Sequence, residues 1–274
     1  MKKHGMTILL ILILIIGLSL LLYPTVSDYW NSRVQSQVIV DYNQQLSDMN
    51  EDKYEEFWQE ALTYNASLLS RTNPYILTEE QAAQYEDLLD VAGTGVMAFV
   101  SIPNLDIELP VYHSTREEVL QVAIGHIEWS SLPVGGESSH CVISGHRGLP
   151  SAKLFTDIDE MELGDVFMLH TMGETLTYQV DQILIVEPHE TEALMVEEGK
   201  DLCTLVTCTP YGVNTHRLLV RGHRVETPEE VRVLRVTADA VLIKPEIVAP
   251  IVAAPILILL FLGVLLTPKR GKKK

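Results

Sequence analysis

Two uncharged apolar stretches bracket this chain of 274 residues, and they limit what the rest can become. Met6–Tyr23 runs 18 residues without a charge, and Ile247–Thr267 runs 21. At about 1.5 Å per helical residue, each is long enough to cross a hydrocarbon core of about 30 Å. Lys2 and Lys3 precede the first, while Lys269, Arg270, Lys272, Lys273 and Lys274 follow the second. Basic flanks stay cytoplasmic. The pattern therefore predicts a two-pass plasma-membrane protein with 1–5 and 268–274 inside and everything between them outside.

Each stretch has a rival reading. The first resembles a cleaved leader, but its apolar run exceeds the usual length of about 7 to 15 residues and no Ala-x-Ala site follows, which favours an uncleaved anchor. An apolar stretch with a basic tail also ends proteins sorted to a bacterial cell wall, where Leu-Pro-x-Thr-Gly precedes it. Here Leu242-Ile-Lys-Pro-Glu-Ile stands in that place, so 247–267 reads as a true second anchor and 229–246 as its linker.

About 220 residues lie between the anchors, enough for one domain with a full core. Without the seven terminal basic residues, 13 Lys and Arg face 37 Asp and Glu, a net of −24. That balance argues against nucleic acid and against docking on anionic lipid. Three cysteines are too few for a disulfide scaffold, leave at least one unpaired and match no zinc spacing.

Residues 24–94 are polar and helix-prone. Val34, Val38, Val40, Tyr42, Leu46, Met49, Tyr54, Phe57, Leu62 and Leu69 recur at loose helical spacing. Arg71-Thr-Asn-Pro-Tyr75 breaks the pattern, and Thr78-Glu-Glu-Gln81 has capping-box spacing for a short helix through about Leu89. After Gly93-Thr-Gly95 the period becomes that of strands. Val96–Ile102, Asp106–Tyr112, Cys141–Ser144, Asp165–Leu169, Thr175–Val186, Cys203–Thr207 and Arg217–Val220 read as strands, with a hairpin at Met172-Gly173. Ser114-Thr-Arg-Glu117 reads as a second capping box, heading a helix through Val122. Many short strands suggest a closed barrel over 95–228.

Three of these segments end in reactive side chains. In Thr204-Leu-Val-Thr-Cys208 side chains alternate, so Thr204, Val206 and Cys208 share a face, and Thr209-Pro-Tyr-Gly212 turns the chain away beyond the sulfur. His146 ends Val142-Ile-Ser-Gly between Gly145 and Gly148, and Arg217 opens the last strand. A thiolate attacks carbonyls far better than a thiol; an imidazole takes or returns the proton, and a cation steadies negative charge on the substrate oxygen. Among neighbouring groups, His126 precedes the Gly-rich turn and reads as structural. His216 has the opposite parity to Arg217, Arg221 sits deeper in the strand, and Arg147 faces away from His146.

Thr-Leu-x-Thr-Cys followed nine residues later by Arg resembles the sortase signature. Ser144-Gly-His-Arg-Gly-Leu-Pro-Ser-Ala-Lys-Leu-Phe155 and Ser131-Leu-Pro-Val-Gly-Gly136 are similar to the pilus-assembling class C branch of Gram-positive bacteria, with matching blocks from about Gly95 to Arg224. The resemblance implies an eight-stranded sortase-type β-barrel with N-terminal helices. It implies Cys208 as nucleophile, His146 as proton donor and Arg217 as the group binding substrate and oxyanion. The reaction implied is transpeptidation: cleavage of a Leu-Pro-x-Thr-Gly-like signal between Thr and Gly through a thioester, then transfer to a lysine amine of a pilin subunit. Alternatives within that frame are attachment of proteins to cell-wall peptide, or a non-catalytic assembly scaffold. No cofactor or metal is demanded, although calcium, which some sortases use, is not excluded.

Class C members carry a lid before the barrel, usually Asp-Pro-aromatic. The corresponding residues here are Asn73, Pro74 and Tyr75, within about 71–77. An amide cannot form the ion pair with Arg217, so a lid held less firmly, closing through Tyr75, is expected. Cys141 and Cys203 each lie five residues before His146 and Cys208. The resemblance makes their strands neighbours, which leaves a disulfide staple or two buried thiols, the thiols being favoured.

Overall fold

A computed structural model describes residues 5–71 and 75–227. Asn73, Pro74, the linker 229–246 and the apolar stretch 247–267 lie outside the described residues.

Helix α1 (Gly5–Ser47) joins the first apolar stretch and the following polar segment in one piece, continuing through Pro24. Among the described residues it is the one helix long and apolar enough to cross a membrane. Helix α2 (Glu51–Leu68) starts where Asn50 accepts from the Lys53 N–H, with Glu51 and Asp52 in the first turn favouring its positive end. Helix α3 (Glu79–Asp87) opens with the expected capping box: Gln81 N–H donates to the Thr78 hydroxyl and Thr78 N–H to the Gln81 side chain.

The strands are β1 (Val96–Ile102), β2 (Ile107–Tyr112), β3 (Ile124–His126), β4 (Ser139–Ser144), β5 (Val166–Thr171), β6 (Glu174–Val186), β7 (Asp201–Thr209) and β8 (His216–Val225). They close into a barrel in the order β1-β2-β3-β4-β7-β8-β6-β5. The expected eight-stranded barrel with N-terminal helices is thus the observed fold. Six of the eight neighbouring pairs are antiparallel; β2 with β3 and β4 with β7 run parallel. The β5–β6 turn is a two-residue link in which Met172 and Gly173 both take positive φ, 51° and 81°, as the hairpin twist requires. Tyr42 of α1 holds that turn: its hydroxyl accepts from the Met172 N–H at 2.9 Å and donates to the Met97 carbonyl at 3.1 Å.

Side chains of alternate parity separate into two clusters. Cys141, Ile143, Cys203, Leu205, Leu218 and Val220 point into the barrel, where Tyr64, Leu68, Tyr85 and Leu89 of the helical region join the same core. Val142, Val206 and Leu219 lie on the other face of β4, β7 and β8, packed with Leu194 and flanked by Ile127, Trp129 and Val186.

The helix after Ser114 departs from expectation. Ser114 itself has φ 64°, its N–H donates to the Tyr85 hydroxyl, and its own hydroxyl accepts from Arg116 Nε at 3.0 Å and is not the helix N-cap. Arg116 is the N-cap of a shorter α4 (Glu117–Leu120), without a side-chain cap bond. The capping spacing is present, but burial of Ser114 against Tyr85 overrides it.

Cys141 and Cys203 are paired in register on β4 and β7, both buried and both free thiols. Burial pushes the Cys203 thiol well above its ordinary value. Denatured protein without reductant is accordingly expected to titrate three thiols; a count of one would mean that the pair had formed a staple.

Candidate functional site

The register of three strands brings the reactive residues to one end of the barrel. Ser144 is the Cα partner of Val206 across the parallel β4–β7 pair, so His146 and Cys208 each follow two residues beyond matched positions. Two bonds continue the match: Gly145 N–H donates to the Val206 carbonyl at 3.0 Å, and the Thr207 hydroxyl to the Gly145 carbonyl at 2.8 Å. Across β7–β8, Cys208 is the direct Cα partner of Arg217. Cys208 has the parity of Val206, and Arg217 that of Leu219, so both stand at the end of the outer apolar floor. Glycine is required at 145, because a Cβ there would come within 2.7 Å of both Ile124 and Phe155.

The three candidate residues are only partly exposed. Cys208 is half-buried, while the His146 side chain is 27% exposed with Glu117 Oε2 at 3.9 Å from Nε2. Arg217 Nη1 donates to the carbonyls of His216 and Asn214, at 3.1 and 3.4 Å, and has no carboxylate partner among the described residues. The two neighbouring arginines, Arg147 and Arg221, are committed elsewhere. Arg147 pairs with Asp159 and lies over the Tyr211 ring, 5.8 Å from its centroid. Arg221 bonds Asp181 at 2.9 Å and Glu197 at 2.8 Å. His126 is buried among Tyr85, Ser130 and the Ser131 carbonyl, away from solvent.

The loop between β6 and β7 roofs the apolar floor. Leu194 inserts into it, and Tyr75 packs over the loop from the helical side. The Tyr75 ring meets Trp129 edge-on at 5.2 Å; its hydroxyl donates to the Met195 sulfur at 3.4 Å and accepts from Thr191 at 3.0 Å. Trp129, Thr191 and Met195 were not distinguishable in sequence, since nothing in their spacing marks them as partners of Tyr75. Glu117 carried a signal only as the last residue of the supposed capping box.

His140 fastens the same loop. Its Nδ1 lies 2.9 Å from the Met195 carbonyl and its Nε2 2.7 Å from the Thr204 hydroxyl. Nδ1–H donates to the carbonyl, and in the neutral ring Nε2 accepts from the hydroxyl. Burial lowers its pKa below the ordinary 6.5. The unfolded chain then takes up a proton that the folded one refuses. The stabilising contribution is complete above 6.5 and declines as pH falls from there toward the folded value. Melting temperature measured from pH 7.5 to 5 should fall less steeply in His140→Gln than in wild type; parallel curves would refute this.

Among the described residues no group of three or more His, Cys, Asp or Glu is arranged to hold a metal ion. The candidate site is a thiol, an imidazole and a guanidinium at one barrel end, above a covered apolar floor.

Residues 100–225 match the sortase domain family. Sortase D of Bacillus subtilis is 30% identical over 129 residues, 46% of this chain and 62% of the relative, so the chain spans less than two thirds of that protein. Sortase A of Bacillus anthracis is 30% identical over 146 residues, 52% of this chain and 68% of the relative. Among solved structures, sortase C1 from Streptococcus agalactiae is 47% identical with a TM-score of 0.68, covering 70% of this chain and 100% of the other. Sortase C of Streptococcus pneumoniae is 43% identical with a TM-score of 0.63, covering 70% and 97%. The barrel, its parallel β4–β7 pair and these likenesses lead to one conclusion: the chain belongs to the sortase family, with class C sortases as its structural neighbours.

Proposed function

We propose that this protein is a two-pass membrane cysteine transpeptidase that joins pilin subunits. The Cys208 thiolate attacks the Thr carbonyl carbon of a Leu-Pro-x-Thr-Gly-like signal, forming a C–S bond and a tetrahedral oxyanion beside Arg217. Collapse breaks the C–N bond, and the His146 imidazolium gives its proton to the departing glycine amine. A neutral lysine amine of another subunit then attacks the thioester, loses a proton to His146 and releases the thiolate. Water is the slow competitor.

The observation that supports this most is the strand register: matched parallel positions before His146 and Cys208, and direct pairing of Cys208 with Arg217. The pilin role draws on the similar Streptococcus pneumoniae sortase C, described in connection with pilin substrate specificity. The two-pass topology rests on the second apolar stretch and its basic tail. The deciding experiment is intact mass after incubation with a Leu-Pro-x-Thr-Gly peptide, followed by a lysine-bearing pilin domain or a cell-wall peptide. An acyl adduct resolved by the pilin amine supports the reading; resolution by the wall peptide alone would move it to wall attachment, and no adduct would sink it.

Tyr75 acts, on this reading, as the aromatic of a lid, closing by packing on Trp129 and the β6–β7 loop. An aromatic pair contributes about 0.5–1.5 kcal/mol. Tyr75→Ala should therefore raise the rate of Cys208 labelling by a small thiol reagent roughly two- to twelvefold. An unchanged rate would remove the lid.

A further inference from the structure

Beside the thiol, imidazole and guanidinium stands a carboxylate that the reaction above does not use. Strand β3 runs antiparallel to β4, with Gly125 the Cα partner of Ser144. The start of β3, and α4 before it, therefore lie at the barrel end where β4 delivers His146. Groups from neighbouring elements follow one another along that rim: Glu117 ahead of β3, His146 after β4, Cys208 near the end of β7 and Arg217 at the start of β8.

Glu117 is aimed and unneutralised. Its Oε1 accepts from the Gln121 amide one turn on, and its Oε2 stands 3.9 Å from His146 Nε2. Arg116 next to it turns away, pairing with Glu86 at 3.0 Å and donating to Ser114 Oγ. Among the described residues no lysine or arginine pairs with Glu117, whose side chain is 69% exposed. One face of α1 holds both partners in place. In the loop after His146, the Lys153 N–H donates to Asp28 Oδ1 at 2.8 Å, and Asn31 Nδ2 to the Ser151 carbonyl at 2.7 Å. That loop closes where the Phe155 N–H donates to the His146 carbonyl at 3.2 Å. Gln35 Nε2 donates to the Val122 carbonyl at 2.7 Å, just beyond α4. Asp28, Asn31 and Gln35 are spaced three and four residues apart, so a single helix face sets the gap between Glu117 and His146.

A separation of 3.9 Å is too long for a hydrogen bond. It suits two acceptors that share one donor, because a nitrogen about 2.8–3.0 Å from each fits between them. A primary ammonium brings three N–H groups, enough for both. An acceptor lysine, with an ordinary pKa of about 10.4, arrives at neutral pH almost wholly in that form. Arg217 on the far flank of the thiol repels it, which leaves the Glu117 side as the favourable approach.

We propose that Glu117 and His146 together bind the ammonium of the acceptor. Resting on the transpeptidase reading above, this gives the second substrate its own site, across the thiol from Arg217. The bound ammonium releases one proton to water through the exposed carboxylate. Its lone pair then forms the C–N bond to the thioester carbon as the C–S bond breaks. A second proton passes to the neutral His146, and the thiolate and imidazolium are restored.

Two measurements on the full chain in detergent test it, both with Glu117→Gln, which keeps an acceptor for Gln121 and removes the charge. In the first, Nα-acetyl-lysine amide and hydroxylamine compete for the acyl-enzyme formed with a Leu-Pro-x-Thr-Gly peptide. Hydroxylamine is uncharged at neutral pH, and both nucleophiles share the acylation step, so the product ratio reports the ammonium site alone. Glu117→Gln should lower the ratio of isopeptide to hydroxamate by about threefold or more, the weight of a partly exposed ion pair. A smaller change, or a wild type that yields hydroxamate alone, would overturn the proposal. The second follows the His146 ring by NMR, its signal assigned among the nine histidines by its loss in His146→Asn. Nα-acetyl-lysine amide should move that signal, its uncharged counterpart Nα-acetyl-norleucine amide should not, and Glu117→Gln should abolish the movement. Equal shifts with the two amides, or in the two proteins, would overturn the proposal whatever the enzyme does. A wild type that forms no acyl-enzyme would overturn the transpeptidase reading instead, leaving the NMR result to judge the ammonium site.

Discussion

Cys208→Ala is expected to form no acyl adduct and to lower peptide turnover by at least about a thousandfold, with the fold intact. Loss of a covalent nucleophile removes the whole reaction path, and residual rates in such sites come only from binding and oxyanion contacts. Cys208 is half-buried at a strand end, so trimming one sulfur there disturbs little packing. Arg217→Ala should cost about 10²–10³ in turnover, the usual loss when one oxyanion-stabilising donor is removed. Arg217→Lys should recover little of it, because a point charge on a flexible stem does not reproduce a planar fork. Intact mass and single-turnover rates check all three. An adduct on Cys208→Ala would move the nucleophile elsewhere, and since Cys141 and Cys203 are buried in the barrel, no other thiol is at hand.

The largest stability effect is expected at Gly125, not at the site. Its Cα stands where an added Cβ would come within 2.1 Å of the Ser114 carbonyl oxygen, a backbone atom that cannot rotate away. Overpacking typically costs about 1–3 kcal/mol, and this contact lies at or beyond the upper end. For a domain of this size about 3 kcal/mol lowers the melting temperature by about 6–12 °C. Activity should fall with it. Gly125 pairs with Tyr112 on one side and with Ser144 on the other, so its displacement moves β4 and the His146 that follows. Thermal melts of Gly125→Ala check this, and a midpoint within two or three degrees of wild type would refute it.

Much of the site was legible because strand parity is a local property. A period of two determines which face Cys208 shares with Val206, and the turn residues at Pro210 and Gly212 mark where the strand stops. Parity also separated Cys141 and Cys203 from the reactive pair, and the structure has them inside the barrel, opposite Val142 and Val206. The Thr78–Gln81 cap was readable for the same reason, since both partners lie within one turn.

The misreadings are of another kind. Strand β3 has three residues, too few to show a period, and exists because β2 and β4 both pair with it. Ser114 has the spacing of a helix cap, yet a tyrosine 29 residues earlier takes its N–H. Sequence by itself determined the apolar anchor, the strand periods, the strand-end thiol, imidazole and guanidinium, and the faces they share, because each follows from the chemistry of adjacent residues. Only the tertiary structure decided that α1 runs unbroken from span to barrel, that Asp28 and Asn31 grip the His146 loop, and that Tyr75 meets Trp129 and Met195. Those contacts join residues 54 to 125 positions apart. They depend on how a closed barrel brings its loops together, which no local pattern encodes.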